Sequence, residues 1–140
     1  MSHIRVMSVV TLLIILSTTP ARAERAEVKA AKAAVTAWLA LVDAGKYDKS
    51  WQEAASFFRK AVPKATWRRQ VGAVRGPLGA VVSRKPKSAT FTTSLPGAPD
   101  GKYVVIQLET RFKNKRSAVE TITPTLDRDG KWRVAGYFIK

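Results

Sequence analysis

Nine lysine and arginine residues lie between Glu53 and Asp100 with no aspartate or glutamate among them. Nothing within this stretch neutralises them, so we expect a positively charged surface that attracts a polyanion such as an envelope glycan or an anionic lipid headgroup. The alternative is a solvated face on a protein that is basic throughout, with a net charge of +15. The nine residues are Arg59, Lys60, Lys64, Arg68, Arg69, Arg75, Arg84, Lys85 and Lys87.

Two of these cations, Arg75 and Arg84, flank a Gly-Pro-Leu-Gly turn at residues 76–79. Two guanidinium forks can clamp a carboxylate or a phosphate. The alternative is an internal ion pair that fixes the junction between helices and sheet, with Asp43, Glu109 or Glu120 as the partner. The predicted ligand-binding residues are Arg75, Arg84, Lys85, Lys87, Trp38 and Tyr47.

Acid–base chemistry has two candidate locations. Asp43 and Tyr47, next to Trp51, would serve as a base and an oxyanion donor in an isomerase- or dehydratase-like enzyme. Glu109 and Glu120, on neighbouring predicted strands, would form a second carboxylate pair. For both locations the alternative is structural, because surface acids and cross-strand ion pairs are common.

Other chemistries are excluded by composition. The chain has no cysteine, and its one histidine is His3, near the N-terminus. After removal of that segment, Ser-His and Cys-His nucleophiles and metal sites built from His or Cys are excluded. We expect no cofactor and no metal. We also do not expect nucleic acid as a partner, because the aromatic residues of the basic stretch fall on apolar faces.

The first 23 residues are typical of a secretory signal peptide. Arg5 precedes an apolar run at residues 9–16, and Ala21-Arg22-Ala23 has the small residues of a cleavage site. The run is shorter than the roughly 20 residues of a membrane-spanning helix, so no transmembrane segment is expected after cleavage before Glu24. A retained anchor is the alternative. Residues 24–140 are predicted to form one domain, periplasmic or secreted.

Helical spacing dominates the first half of residues 24–140. A first helix at residues 24–44 carries the apolar stripe of Val28, Ala31, Val35, Trp38, Leu39 and Val42. A second is predicted from Ser50, in capping-box spacing with Glu53, to Val62. A third, at residues 64–73, is predicted to bury Trp67, Val71 and Val74 and to stop at Gly76-Pro77.

Strand periodicity takes over after residue 79. Strands are predicted at residues 80–84 and 89–95, separated by Lys85-Pro86-Lys87, and then at 102–112, 118–126 and 131–139. In the last strand, Trp132, Val134 and Phe138 are expected on one face. The fold class is therefore α+β, with N-terminal helices packed on a curved antiparallel sheet of about four strands. This arrangement resembles the nuclear-transport-factor-like and cystatin-like folds.

Four sequence blocks, in order, are similar to one protein family. They are WLALVDAGKYDKSW at 38–51, RGPLG at 75–79 with Arg84, LPG with DGKY at 95–97 and 100–103, and DGKWRVAGY at 129–137. They resemble domain of unknown function 4019, a group of mostly exported bacterial proteins. The resemblance supports an exported single domain and implies no activity or ligand.

These observations favour binding over catalysis. We expect a non-enzymatic binding protein of the cell envelope that takes an anionic envelope component or a small molecule. Its site would be either a pocket between helix and sheet or the basic face. The enzyme with Asp and Tyr is the first alternative. The second is a structural or assembly dimer formed through exposed Tyr103, Val105 and Val119, and the oligomeric state stays open.

Export predicts a specific N-terminus. Cleavage after Ala23 removes Arg5 and Arg22 and no acid, and leaves a protein that begins at Glu24. N-terminal sequencing of protein collected outside the cytoplasm should read Glu-Arg-Ala-Glu. Exported protein that still carries Met1 would contradict the prediction.

Overall fold

The structure, a computed structural model, describes residues 19–140. Four helices precede four strands, which confirms the α+β class. Residues 1–18 of the predicted signal peptide lie outside the described residues, and residues 19–23 lie within them. No helix within residues 19–140 is long and apolar enough to cross a membrane. The elements are α1 (Pro20–Asp43), α2 (Tyr47–Gln52), α3 (Ser56–Ala61), α4 (Lys64–Leu78), β1 (Val81–Thr92), β2 (Tyr103–Phe112), β3 (Lys115–Leu126) and β4 (Trp132–Ile139).

Helix α1 confirms the predicted apolar stripe. Extended Thr19 caps it, and Pro20 occupies the first turn, where a missing N–H costs nothing. Gly45 follows the helix with φ 73°, a conformation that glycine adopts without strain. The helix contacts all four strands and supplies most of the helical side of the core. Its buried residues are Ala31, Val35, Trp38, Leu39 and Val42.

The prediction of one helix from Ser50 to Val62 is wrong. Two short helices, α2 and α3, flank the buried residues Ala54 and Ala55. The Ala55 N–H donates to the Val134 carbonyl of β4 at 2.8 Å, so the chain leaves the helical path to reach the sheet. Ser50 does not cap a helix. It lies buried inside α2, donates to the Tyr47 carbonyl at 2.6 Å and accepts from Trp67 Nε1 at 3.0 Å.

Helix α4 is longer than predicted, and the face that it buries differs from the predicted one. It continues past Gly76 and includes Pro77 in its last turn. Trp67 and Val71 are buried as predicted, but Val74 is 49% exposed, while Arg75 is only 6% exposed. The guanidinium of Arg75 lies 5.1 Å from the ring centre of Phe112 on β2. Arg75 therefore occupies the inward position that the hydrophobic pattern predicted for Val74.

The sheet is an antiparallel meander in the order β1-β2-β3-β4. The predicted break at Lys85-Pro86-Lys87 is wrong, because β1 runs through it without interruption. Pro86 is tolerated since β1 is an edge strand and needs no donor on its free side. The register shifts between Pro86 and Ser88, so Lys87 is the extra residue of a bulge.

A register shift between β3 and β4 corrects the predicted face of β4. Thr123 pairs with Gly136, but Pro124 pairs with Val134, so Ala135 has no partner on β3. One extra residue inverts the alternation of side chains beyond it. Tyr137, opposite Ile122, therefore faces the core. Phe138, predicted to lie inside with Trp132 and Val134, is 52% exposed.

Trp38 is the aromatic centre of the core. It is 4% exposed, its Nε1 donates to the Ser50 carbonyl at 2.8 Å, and its ring meets Tyr137 edge-on at 5.3 Å between centres. Trp67 contacts it on another side, at 5.9 Å. One side chain thus joins α1, α2, α4 and β4.

Truncation of Trp38 should therefore be costly. Trp38→Ala is expected to lower the free energy of unfolding by about 3–5 kcal/mol, as core aromatic truncations do. Val74→Ala, on the exposed face of α4, is the control and should change it little. Denaturant unfolding measures both. Equal small losses would contradict this description of the core.

Candidate functional site: a groove beside a buried ion network

The two predicted arginines are joined through Asp43 at the end of α1. Arg75 Nη2 donates to Asp43 Oδ1 at 2.8 Å, and Arg84 donates to both oxygens at 2.6 and 2.9 Å. Arg84 also donates to Glu120 on β3 at 2.6 and 3.1 Å. The internal ion pair, the alternative to a ligand clamp, is therefore present for both arginines. We call Asp43, Arg75, Arg84 and Glu120 the ion network.

Glu120 is the buried member of the ion network, at 0% exposure. Thr110 donates to it at 2.5 Å, and the Tyr137 hydroxyl donates to its other oxygen. Burial alone would raise the pKa of Glu120 and of Asp43, but the hydrogen bonds and charges of their partners outweigh burial and hold both pKa values below the usual range. Both carboxylates are therefore ionised at neutral pH, and the network of two cations and two anions carries no net charge.

An open groove of about 620 Å³ lies between α1 and strands β1 and β2, next to this network. Its floor is apolar and comes from both layers: Val35, Leu39, Ala89, Ile106 and Leu108. Lys32 on α1 and Lys87 on β1 line it from opposite sides, with Thr36 as a further polar residue. Ser88 also borders it, but its hydroxyl donates to Gln107 Oε1 at 3.3 Å. Asp43 and Arg84 lie at one end of it.

The structure brings only part of the predicted ligand set into this groove. Arg84 and Lys87 line it. Arg75 is enclosed in the ion network, and Lys85 pairs in register with Glu109 on the opposite face of the sheet. Trp38 is a core residue that borders a separate cavity of about 330 Å³ beside β4.

Tyr47 also lies away from the groove. Its ring packs on α4, where a Cβ added to Gly72 would be 3.5 Å from it. Asp43 is held by the two arginines, and Trp51 Nε1 donates to the Val62 carbonyl at 2.7 Å. Within residues 19–140, no hydrogen bond joins Asp43, Tyr47 and Trp51 to one another, and the acid–base site stays a prediction.

Other expected groupings are also separated. Glu120 pairs in register with Leu108, whereas Glu109 pairs with Val119, so the two glutamates lie on opposite faces of the sheet. Tyr103, expected on an exposed assembly face, is buried and its hydroxyl donates to the Pro99 carbonyl. Glu109 and Glu120 therefore do not form the predicted carboxylate pair. Tyr103 is not available as an exposed residue of the predicted dimer surface.

The nine cations of the basic stretch do not form one face. Arg75 and Arg84 belong to the ion network, and Arg68 lies 3.4 Å from Asp48. Lys85 pairs in register with Glu109, whereas Lys87 is the bulge residue and borders the groove. The other four, Arg59, Lys60, Lys64 and Arg69, belong to α3 and α4. Counting charges along the sequence overestimated their clustering in space.

Sequence reasoning missed Lys32, Thr36 and Ala40, which line the groove from α1. Their spacing of four residues places them on one side of a helix. These three residues lie next to Val35 and Leu39 of the apolar stripe. A lysine directly beside the apolar stripe of α1 is the sequence signal that could have indicated this side of the groove.

The described residues thus define an α+β domain with a ligand-sized groove between a long helix and a four-stranded sheet. A family model described as "Protein of unknown function (DUF4019)" matches residues 34–137, so the chain belongs to that family and the resemblance is confirmed. Comparisons with curated proteins and with solved structures gave no match. The likeness to nuclear-transport-factor-like and cystatin-like folds accordingly stays a prediction.

The ion network predicts unequal effects for the two glutamates. Glu120→Gln should lower the free energy of unfolding by about 3 kcal/mol, because it leaves a buried guanidinium with less compensation. The same change at exposed Glu109 is the matched control and should have little effect. Denaturant unfolding at neutral pH measures both, and equal effects would contradict the network.

The pH profile gives a second readout of the same substitution. The pKa of Glu120 is depressed in the folded state, so its contribution is present above the ordinary value of 4.5 and is lost as the pH falls. Glu120→Gln should therefore lose less stability on acidification than the unsubstituted protein.

Proposed function

We propose that this domain is a binding protein for an anionic amphiphile, held in the groove between α1 and strands β1 and β2. One observation carries the proposal: Lys32 and Lys87 line opposite sides of an apolar groove, and within residues 19–140 neither ammonium group forms a salt bridge. An apolar floor with a few convergent polar groups is typical of small-molecule sites.

The charges of the groove support an anion rather than a cation. Asp43 is the one carboxylate among the residues that line it, and two arginines neutralise it. The two lysines therefore determine the net charge that a ligand meets. Both lysines are exposed, so they attract an anion as surface charges do, and this attraction should weaken as the salt concentration rises.

The apolar floor supports a ligand with a hydrocarbon part. Core residues such as Leu39 and Ile106 form the base of the groove but are each only 3% exposed, so its accessible apolar surface comes mainly from Ala40, Pro86 and Leu108. Covering this surface with an alkyl chain would release water, at about 25 cal/mol per Å² of apolar area. A purely polar anion would leave the floor wet, so charge and apolar surface together indicate an amphiphile.

The place of action belongs to the same proposal. The signal-like N-terminus motivates an exported protein, periplasmic or secreted, and a cell envelope contains anionic amphiphiles in quantity. We prefer a binding function to an enzymatic one, because Asp43, the candidate base, already forms ion pairs with Arg75 and Arg84.

Titration calorimetry with decyl sulfate below its micelle concentration tests the proposal. We expect one site per chain and affinity at least about tenfold lower in Lys32→Gln/Lys87→Gln, a loss of about 1.4 kcal/mol. Lys113→Gln/Lys115→Gln, in the β2–β3 turn region, removes the same charge elsewhere and should bind normally. Equal losses in both variants would show an effect of net charge alone.

A steric pair of variants locates the site without changing charge. Ala40 lines the groove, whereas Ala33, exposed on the same helix, lines none of the described cavities. Ala40→Trp should block decyl sulfate binding and Ala33→Trp should not. Full binding by folded Ala40→Trp would contradict the location.

A further inference from the structure

The groove does not end at Lys32. A second basin of about 630 Å³ continues from it toward the N-terminal end of α1, and Lys32 and Ala89 line both. Val28 and Phe91 provide apolar surface in this basin, and Arg25 and Lys29 line it from the helix. Helix and edge strand thus border one elongated depression with Lys32 near its middle.

Charge is unevenly distributed along this depression. Arg25, Lys29 and Lys32 are spaced by four and three residues, so they follow one side of the helix. Within the described lining of the second basin Glu24 is the one carboxylate, and neighbouring Glu27 is engaged by Lys102 at 2.7 Å. The other end, at Asp43 and Arg84, is neutral because the ion network compensates itself.

We propose that the groove takes a phosphate-ester amphiphile in one orientation; this inference rests on the proposed function. The hydrocarbon chain lies against Ala40 and Leu108, toward the neutral end. The phosphate lies between Lys32 and Lys87, and Arg25 and Lys29 attract its second charge or the remainder of the headgroup. Both residues are retained if the chain is cleaved before Glu24.

The excess of positive charge along the helix favours a headgroup with more than one negative charge. Arg25, Lys29 and Lys32 line this end of the depression with Glu24 as the one carboxylate among the lining residues, so a dianion compensates their charge better than a monoanion does. A phosphate monoester carries close to two charges near neutral pH, and its oxygens match both ammonium and guanidinium donors. An alkyl sulfate has the same tetrahedral shape and only one charge, so it serves as the comparison probe.

Calorimetry with decyl phosphate and decyl sulfate at pH 8 and physiological ionic strength tests the headgroup. We expect the phosphate to bind at least about fivefold more tightly, and this preference to fall to about twofold or less in Arg25→Gln/Lys29→Gln. Lys64→Gln/Arg69→Gln, which removes two exposed charges from α4, should keep the preference. At pH 5 the phosphate is largely singly charged, since its second pKa is about 6, and the preference should shrink in the unsubstituted protein.

Orientation has its own readout. Decyl phosphate with a nitroxide at the terminal carbon should broaden the amide signals of Ala40 and Leu108 more than those of Val28 and Phe91. The reverse pattern would overturn the orientation.

The possible failures are distinguishable. If decyl sulfate does not bind, the proposed function fails. If it binds in the groove but phosphate is not preferred, or if the preference survives in Arg25→Gln/Lys29→Gln or is lost equally in Lys64→Gln/Arg69→Gln, only the headgroup inference is overturned. Inorganic phosphate that competes as well as decyl phosphate would also overturn it, because the site would then be one for free phosphate.

Discussion

The guanidinium group of Arg84 holds the helical layer on the sheet beside the groove. It extends from edge strand β1 to Asp43 at the end of α1 and to Glu120 on β3, with contacts of 2.6 Å to each. Arg75 adds a second link from α4 to Asp43. A buried ion pair adds little net stability, but it fixes geometry, because losing one partner strands a charge. This link joins α1 to β1 and β3 at the end of the groove that Asp43 and Arg84 line.

The same link determines which charges are available to a ligand. The strongest cationic feature of the sequence, the pair Arg75 and Arg84, is used internally and compensated by two carboxylates. Lys32 and Lys87 are left to give the groove its positive character. In the proposed site, the two arginines next to Asp43 are compensated by carboxylates, and Lys32 and Lys87 carry the remaining positive charge beside an apolar floor.

The parts of this fold that depend on local pattern were predictable. The stripe of α1 and the order of the strands follow from periodicity, because burial of one face imposes it. The errors occur where tertiary contacts override the pattern: Ala55 bonds to β4, Ala135 bulges and turns Phe138 outward, and Arg75 replaces Val74 inside. Of the groove, Arg84 and Lys87 were found through their charge. Lys32 was not predicted, because it is 55 residues from Lys87 in sequence and the two border one groove only after α1 has packed on the sheet.

The central claim is that the surface between α1 and strands β1 and β2 is the binding site. Amide chemical shifts of the isotope-labelled protein, followed during titration with decyl sulfate, test it most directly. The account predicts saturable shifts concentrated at Thr36, Ala40, Ala89 and Leu108. Shifts concentrated instead at Lys115 and Trp132, or small non-saturating shifts over the whole surface, would contradict it.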